Sequence, residues 1–544
     1  MVQWEKFQEQ LLLGEEDKKQ GFWVQDDVHL AHAISPLFAS FQIPAMSEGT
    51  KQAFENLKMP LLQFRPKLSD NRIYQLTLPY TGDFEQRLKE HKETVSPILP
   101  RMYQRMTEII EGEFLPFYRE LDEFRSLPSF TLEEARAKVV ELFEFYKKAW
   151  QRHFEIVMPR ASLTQALEHM YCQLTGEKDA AAIYEMLTGI MNKTLETDRA
   201  LWQMAAQVKQ SETLRTAFSA ESGAEIRERL ATREEGNKFL EQLQGIMEEY
   251  GYRTSNSHEL MVETWVENPV YALNAIASFL RRDYDFEQEF ATTVQLRKDK
   301  AEATFARMPD GELKNAFRQM YEWALESWGL DEDHHFYIDA MLPSKARLFL
   351  LKVGERLVQE GALEDREDIF QLYLDEVLGL LERPESAAEI VERHRKEYES
   401  NKYKPVPPFY GTPPKQGPDP MIERIFGGKP PEVDQQKRSF NGYAASQGTY
   451  TGTAKVVRGP EDFAKVGAGD VLVCKTTTPP WTVLFSVVGA VVTDAGGILS
   501  HAGTVAREYK LPAVVGTKVA TTLVKDGDKV TVDGTNGVVY FGQI

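Results

Sequence analysis

Apolar residues recur at steps of three and four through most of the first four hundred positions. Val139, Leu142, Phe143, Tyr146, Trp150, Phe154 and Val157 make one such series, a single stripe along a long helix. Segments Arg101–Phe124, Ala180–Gln210, Glu225–Tyr250, Pro269–Phe305, Leu313–Trp328, Ser344–Glu360 and Ser386–Glu399 have the same character. Their aromatic and Met positions read as core, and residues 1–400 as one large, mainly α-helical domain. The first hundred residues are less regular. Ile73, Tyr74, Leu76 and Leu78 alternate in part and predict short strands within Asn71–Pro79.

The period changes after residue 438. Val456–Val457, Asp470–Cys474, Ala490–Thr493, Ala513–Val515, Lys529–Val532 and Val538–Phe541 are short β-branched runs divided by Gly/Asp turns. One amphipathic helix, Ala502–Tyr509, falls between two of them. Residues 439–544 therefore read as a small α/β domain, and the chain as multidomain. Between the two regions, 401–438 is rich in Pro and Gly, with Pro405, Pro407, Pro408, Pro413, Pro414, Pro418, Pro420, Pro430 and Pro431. Proline fixes φ and removes a backbone donor, so no long helix or central strand runs through this stretch. It is either an ordered surface connection or a semi-rigid tether rising about 3.1 Å per residue.

Composition narrows the class. Apolar residues are 42% and charged residues 27% of the 544, as in globular proteins. The formal net charge of −19 argues against binding nucleic acid or docking on anionic lipid, both of which need concentrated Lys/Arg. Two distant cysteines, Cys172 and Cys474, give neither a disulfide framework nor a zinc spacing, which fits a reducing, cytoplasmic location. The polar start, Met1 to Lys18, has no apolar signal core, and the run Val483–Val492 is too short to span a bilayer.

The candidate chemistry lies in Thr493-Asp494-Ala495-Gly496-Gly497-Ile498-Leu499-Ser500-His501-Ala502-Gly503-Thr504-Val505-Ala506-Arg507-Glu508. This is a buried strand, a glycine-permitted turn and a helix starting near Ser500. His501 then sits in the first turn, where unpaired N–H groups and the positive dipole end suit an anion. A neutral imidazole is a competent nucleophile, and such donors stabilise a transferring phosphoryl group. Gly496, Gly497, Ser500, Thr504 and Arg507 are the phosphoryl-binding candidates, with Thr477 and Thr478 from an earlier loop. The plainer reading is a helix cap or a satisfied surface histidine.

The block Gly496–His501, with Ala506-Arg507-Glu508, Leu511–Gly516 and Asp526-Gly527-Asp528…Val532-Asp533-Gly534…Gly537, resembles the swivelling phosphohistidine domain of the phosphoenolpyruvate-utilising enzymes. Those enzymes include phosphoenolpyruvate synthase, pyruvate phosphate dikinase and rifampin phosphotransferase. Thr476–Thr482 resembles the family's threonine-rich loop, with Val483 where proline is frequent. The resemblance covers about Phe440 to Phe541 and implies that His501 is phosphorylated. It also implies ATP, with Mg²⁺ or Mn²⁺, as donor, ending as AMP and phosphate. No ATP-grasp pattern is visible in the N-terminal part, so the expected partner is a separate ATP-grasp subunit that carries the metal. Phe22–His29 with Ser35–Phe38, Tyr250–Arg253, Trp265–Pro269 and Glu332–Asp339 resemble the substrate domain of rifampin phosphotransferase and, more so, the histidine-bearing subunit of phenylphosphate synthase, which implies that residues 1–400 bind the substrate.

A hydroxyl acceptor needs a base near its proton and cations or donors near the phosphoryl group. His29 with Asp27, Arg253 with His258, and His334 with Asp333 and Asp339 are the candidates; whether metal binds among them stays open. Each has a plain reading too, as a loop bond, a helix bridge or a helix start. The expected activity is a dikinase-type phosphotransferase subunit acting on a small hydroxylated, phenolic substrate. The alternatives are a phosphohistidine-switched regulatory or scaffold subunit, and a component that phosphorylates rifamycin-type antibiotics.

Overall fold

The computed structural model describes residues 6–178, 180–220, 222–254, 258–280, 284–413, 432–434, 438–478 and 481–542. The chain forms two compact units: 1–160 with 256–263 and 334–416, and 161–255 with 264–333 and 417–544. This division differs from the boundaries 1–400, 401–438 and 439–544 expected from the sequence. The physical reason is a shared core. Leu201, Val208, Leu243, Leu273 and Phe279 of the helical region lie in one buried cluster with Leu472, Phe485, Val491, Val505 and Val515 of the C-terminal region.

The first unit carries a four-stranded antiparallel sheet in the order Leu61–Ser69, Arg72–Pro79, Phe22–Gln25, Phe409–Gly411. Its first two strands close through Asp70 and Asn71, with φ of 48° and 53°. Two consecutive left-handed residues match the right-handed strand twist. The proline-rich stretch is thus anchored at its start, since Phe409–Gly411 pairs with Phe22–Gln25 and Tyr74 donates to the Pro407 carbonyl. The linker expectation for 414–431 and 435–437 lies outside the described residues.

The helix Pro36–Asn56 starts at Ser35, whose hydroxyl accepts from Phe38 N, with proline in the first turn. Gly49 lets it approach the helix Leu132–Thr175, where an added Cβ would stand 2.7 Å from Gln151 N. Of the stripe on that long helix, Val139, Leu142, Phe143, Tyr146, Trp150 and Phe154 are buried and Val157 is half-buried.

In the second unit several long sequence segments resolve into pairs of helices. Glu225–Tyr250 is divided between Gly223–Ala231 and Glu234–Tyr250. Ser222 caps the first of these, and the Cβ space of Gly236 in the second is filled by the Leu230 carbonyl. Ala180–Gln210 is helical at Ala182–Glu185 and again from Lys193, where Asn192 accepts from Thr194 N and Leu195 N. The nine-stranded sheet runs Val433–Asp434, Ser439–Asn441, Val538–Phe541, Lys529–Asp533, Thr449–Val457, Val471–Cys474, Ala490–Thr493, Ala513–Val515, Tyr443–Ser446. The four from Thr449–Val457 to Ala513–Val515 are parallel neighbours. The helix His501–Glu508 connects the last two of these, as parallel pairing requires a crossover. Among the described residues, no helix is long and apolar enough to cross a membrane.

Candidate functional site

In the second unit the strand Ala490–Thr493 leads into Asp494, which accepts from Thr517 Oγ1 at 3.1 Å and from Thr521 N at 3.2 Å. The turn that follows depends on Gly496, at φ 97°, where a Cβ would meet Ser500 Cβ at 2.7 Å. Its carbonyl leaves no room for a side chain on Gly516, where a Cβ would stand 2.5 Å away. Ser500 has extended backbone and its carbonyl accepts from Thr504 N at 2.9 Å. Its buried Oγ has no hydrogen-bond partner among the described residues. An N-cap hydroxyl usually accepts from a first-turn amide, and this one does not.

His501 opens this helix, half-buried, with Nδ1 3.0 Å from Thr477 Oγ1 and the Phe485 ring edge-on at 6.5 Å. In the tautomer that donates the Nδ1 proton to Thr477, Nε2 carries the lone pair. Thr478 is half-buried, and its carbonyl accepts from Trp481 N. Arg507 is turned elsewhere. It donates to the Ala445 and Ile498 carbonyls at 2.7 and 2.9 Å and to Thr504 Oγ1 at 3.2 Å, with Tyr184 beneath it. Its charge fastens the loop that presents His501.

The residues after this helix meet helical residues of the same unit. Tyr509 donates to Asp198 Oδ2 at 2.6 Å and stacks on Tyr284, Glu508 accepts from Gly189 N at 2.8 Å, and Lys510 reaches Glu289. Burial pushes the Asp198 carboxyl up to about 7, against the Tyr509 bond and the Arg253 charge. The folded state therefore holds a proton there that the unfolded chain releases near pH 4. This contribution to stability is complete below that pH and is lost as pH rises toward 7. Thermal melts of Asp198→Asn and the parent from pH 5 to 8 are expected to show the variant gaining relative stability toward pH 8.

The expected acceptor residues are divided between the units. Arg253 and Asp333 belong to the second. Arg253 is buried, donates to Thr197 Oγ1 at 3.0 Å, and burial lowers it to about 10 despite Asp198 and Glu332. Asp333 accepts from Lys193 N at 2.6 Å, at a helix start. Asp27, His29, His258, His334 and Asp339 belong to the first. His29 meets the carboxylate of Asp26, whose Oδ1 lies 3.4 Å from His29 Nδ1 and accepts from its backbone N. Asp27 is half-buried beside it and its charge also acts on the His29 ring.

Around Asp339 the first unit gathers histidines. His153 Nδ1 stands 2.9 Å from Oδ1, and His335 Nδ1 and His334 Nε2 stand 3.1 and 3.8 Å from Oδ2. The His258 ring faces His335 edge-on at 6.2 Å, and burial lowers His258 to about 3. Burial opposes ionisation of Asp339, but the His153 and His335 rings hold it well below the usual carboxylate range. A π-helical turn, His335–Ala340, supplies this arrangement, and His258 has φ of 74°. Such irregularities concentrate at functional sites. His153 and His335 were not singled out from the sequence. His153 follows Trp150 by three on the apolar face, which was the available signal.

Residues 152–332 match the family model described as the fourth domain of rifampicin phosphotransferase, and residues 466–537 that of the mobile domain of PEP-utilising enzymes. An uncharacterised phosphotransferase, YvkC of Bacillus subtilis, is 39% identical over 95% of this chain and 61% of its own length. A rifampicin phosphotransferase of Bacillus cereus is 27% identical over 71% of this chain and 44% of its own length. A probable phosphoenolpyruvate synthase of Archaeoglobus fulgidus is 46% identical over 21% of this chain and 15% of its own length. The chain thus spans less than two thirds of each.

Proposed function

The chain is a PEP-utilising family member related to rifampicin phosphotransferase, and on that premise we propose that His501 carries a phosphoryl group from ATP to a hydroxyl of a small, phenolic acceptor. The group is loaded by an ATP-grasp module outside these 544 residues, on a separate polypeptide. Nε2 attacks the β-phosphorus of ATP, the N–P bond forms as AMP leaves, and water then releases the γ-phosphoryl as phosphate, leaving one phosphoryl group on the imidazole. In the second step the acceptor oxygen attacks, the N–P bond breaks and a base takes the hydroxyl proton. Splitting the transfer lets each step occur where water is excluded. Residues 439–544 travel between the two places as a swivelling domain.

The observation that carries this reading is the vacant cap: Ser500 Oγ without a partner beside a histidine whose Nδ1 is engaged by Thr477. The first-turn amides and Ser500 suit the phosphoryl oxygens, and Thr477 fixes the ring. Mg²⁺ or Mn²⁺ belongs with the nucleotide on the partner. Among the described residues the group able to hold a metal is two imidazoles and a carboxylate, whereas Mg²⁺ takes oxygen ligands.

The test is incubation of the full chain with labelled ATP, Mg²⁺ and the co-purifying ATP-grasp protein, followed by acid and alkali treatment. An acid-labile, alkali-stable phosphate supports the reading; none overturns it. Thr477→Val is expected to lower the rate of labelling about fivefold, the effect of one lost positioning bond of about 1 kcal/mol, read by quench-flow. The match of residues 152–332 favours a second acceptor class, rifamycin-type polycyclic phenols. A thermal-shift screen with phenols, sugars and antibiotics separates these from a regulatory or scaffold subunit, which none would stabilise.

A further inference from the structure

We infer that His153, His334 and Asp339 form a binding site for a divalent first-row transition cation. One ligand atom from each lies within 4.8 Å of the others. A tetrahedral ion with bonds of about 2.0–2.1 Å holds its ligand atoms roughly 3.3 Å apart. The observed separations of 2.9 Å from His153 Nδ1 and 3.8 Å from His334 Nε2 to the Asp339 oxygens bracket that value. Small rotations of two imidazoles close the difference.

Three further observations support the assignment. Two imidazoles and one carboxylate suit zinc, cobalt, manganese or iron and leave positions open for an exogenous ligand. His335 Nδ1 lies 3.1 Å from Asp339 Oδ2, as a supporting residue does when it orients a metal-binding carboxylate. Its Nε2 is buried and has no hydrogen-bond partner among the described residues. The π-helical turn His335–Ala340 is also a local distortion that an ordinary i,i+4 pair does not need.

An ion here would lower the pKa of a bound hydroxyl and make it a nucleophile toward a phosphoryl donor. That use rests on the phosphotransfer reading above; the binding does not.

The full chain, stripped with EDTA, is titrated with Co²⁺ and followed by its visible absorption, then with competing Zn²⁺ and Mg²⁺. One equivalent of Co²⁺ is expected, displaced by Zn²⁺ and not by Mg²⁺. His153→Gln and Asp339→Asn should weaken binding by more than the ~10–100-fold typical of losing a supporting residue, while His169→Gln leaves it unchanged. X-ray absorption of the unsubstituted Co²⁺ complex should show two imidazoles. A silent wild-type titration, an all-oxygen shell, or unaltered binding in both variants overturns the site. Tight binding with metal-independent phosphotransfer keeps the site and removes its role in acceptor activation.

Discussion

His501→Ala is expected to abolish covalent labelling by ATP and its partner and to lower acceptor phosphorylation at least ~10³-fold, as removal of a nucleophile does in other covalent relays. The effect is large because, on the proposed relay, the first step loses its nucleophile and the second its phosphoryl donor. The fold should survive, because the half-buried ring gives up its bond to Thr477, worth about 1 kcal/mol. Intact-mass measurement after incubation checks the first part, and a thermal melt the second. Full labelling in His501→Ala would move the chemistry to another residue.

Arg507→Ala is expected to cost about 3 kcal/mol of stability. The side chain is buried, and its removal strands the buried Ala445 O and the partly buried Ile498 O. Each such loss costs roughly 1–3 kcal/mol, and the cavity against Tyr184 adds to it. Arg507→Lys should recover less than half, because an ammonium cannot span both carbonyls and Thr504 as a planar fork does. Urea unfolding of the C-terminal region, followed through Trp481, reads the difference. The same variants address the sequence expectation that Arg507 grips phosphoryl oxygens: a brace predicts lost stability with near-normal labelling per folded molecule.

The sequence was most informative where local geometry and chemistry coincide. Ala490–Thr493, Ala513–Val515 and Val538–Phe541 are strands with the bounds their β-branched runs suggest, and the helix expected at Ala502–Tyr509 runs His501–Glu508. It was silent on strands whose residues are small or polar. Tyr443–Ser446 and Ser439–Asn441 pair only because Val515 and Val538 offer them edges. The acceptor candidates show the same limit. His334 and Asp339 could be named, but the π-turn that joins them, and the approach of His153 from 186 positions before Asp339, follow from packing that periodicity does not encode. Asp26, which is buried and bonds the His29 backbone, could not be told from its neighbour Asp27 because adjacent carboxylates in a loop look alike until the backbone is folded.

The common core of the second unit sets the energetics of any travelling step. Phe485, Val505 and Val515 share buried neighbours with Leu273 and Phe279, so departure of the histidine carrier would wet an oily face on both sides. On the proposed relay the docked arrangement would be the long-lived one, excursions would be brief, and turnover would be governed by how often that seam opens rather than by the speed of either bond exchange.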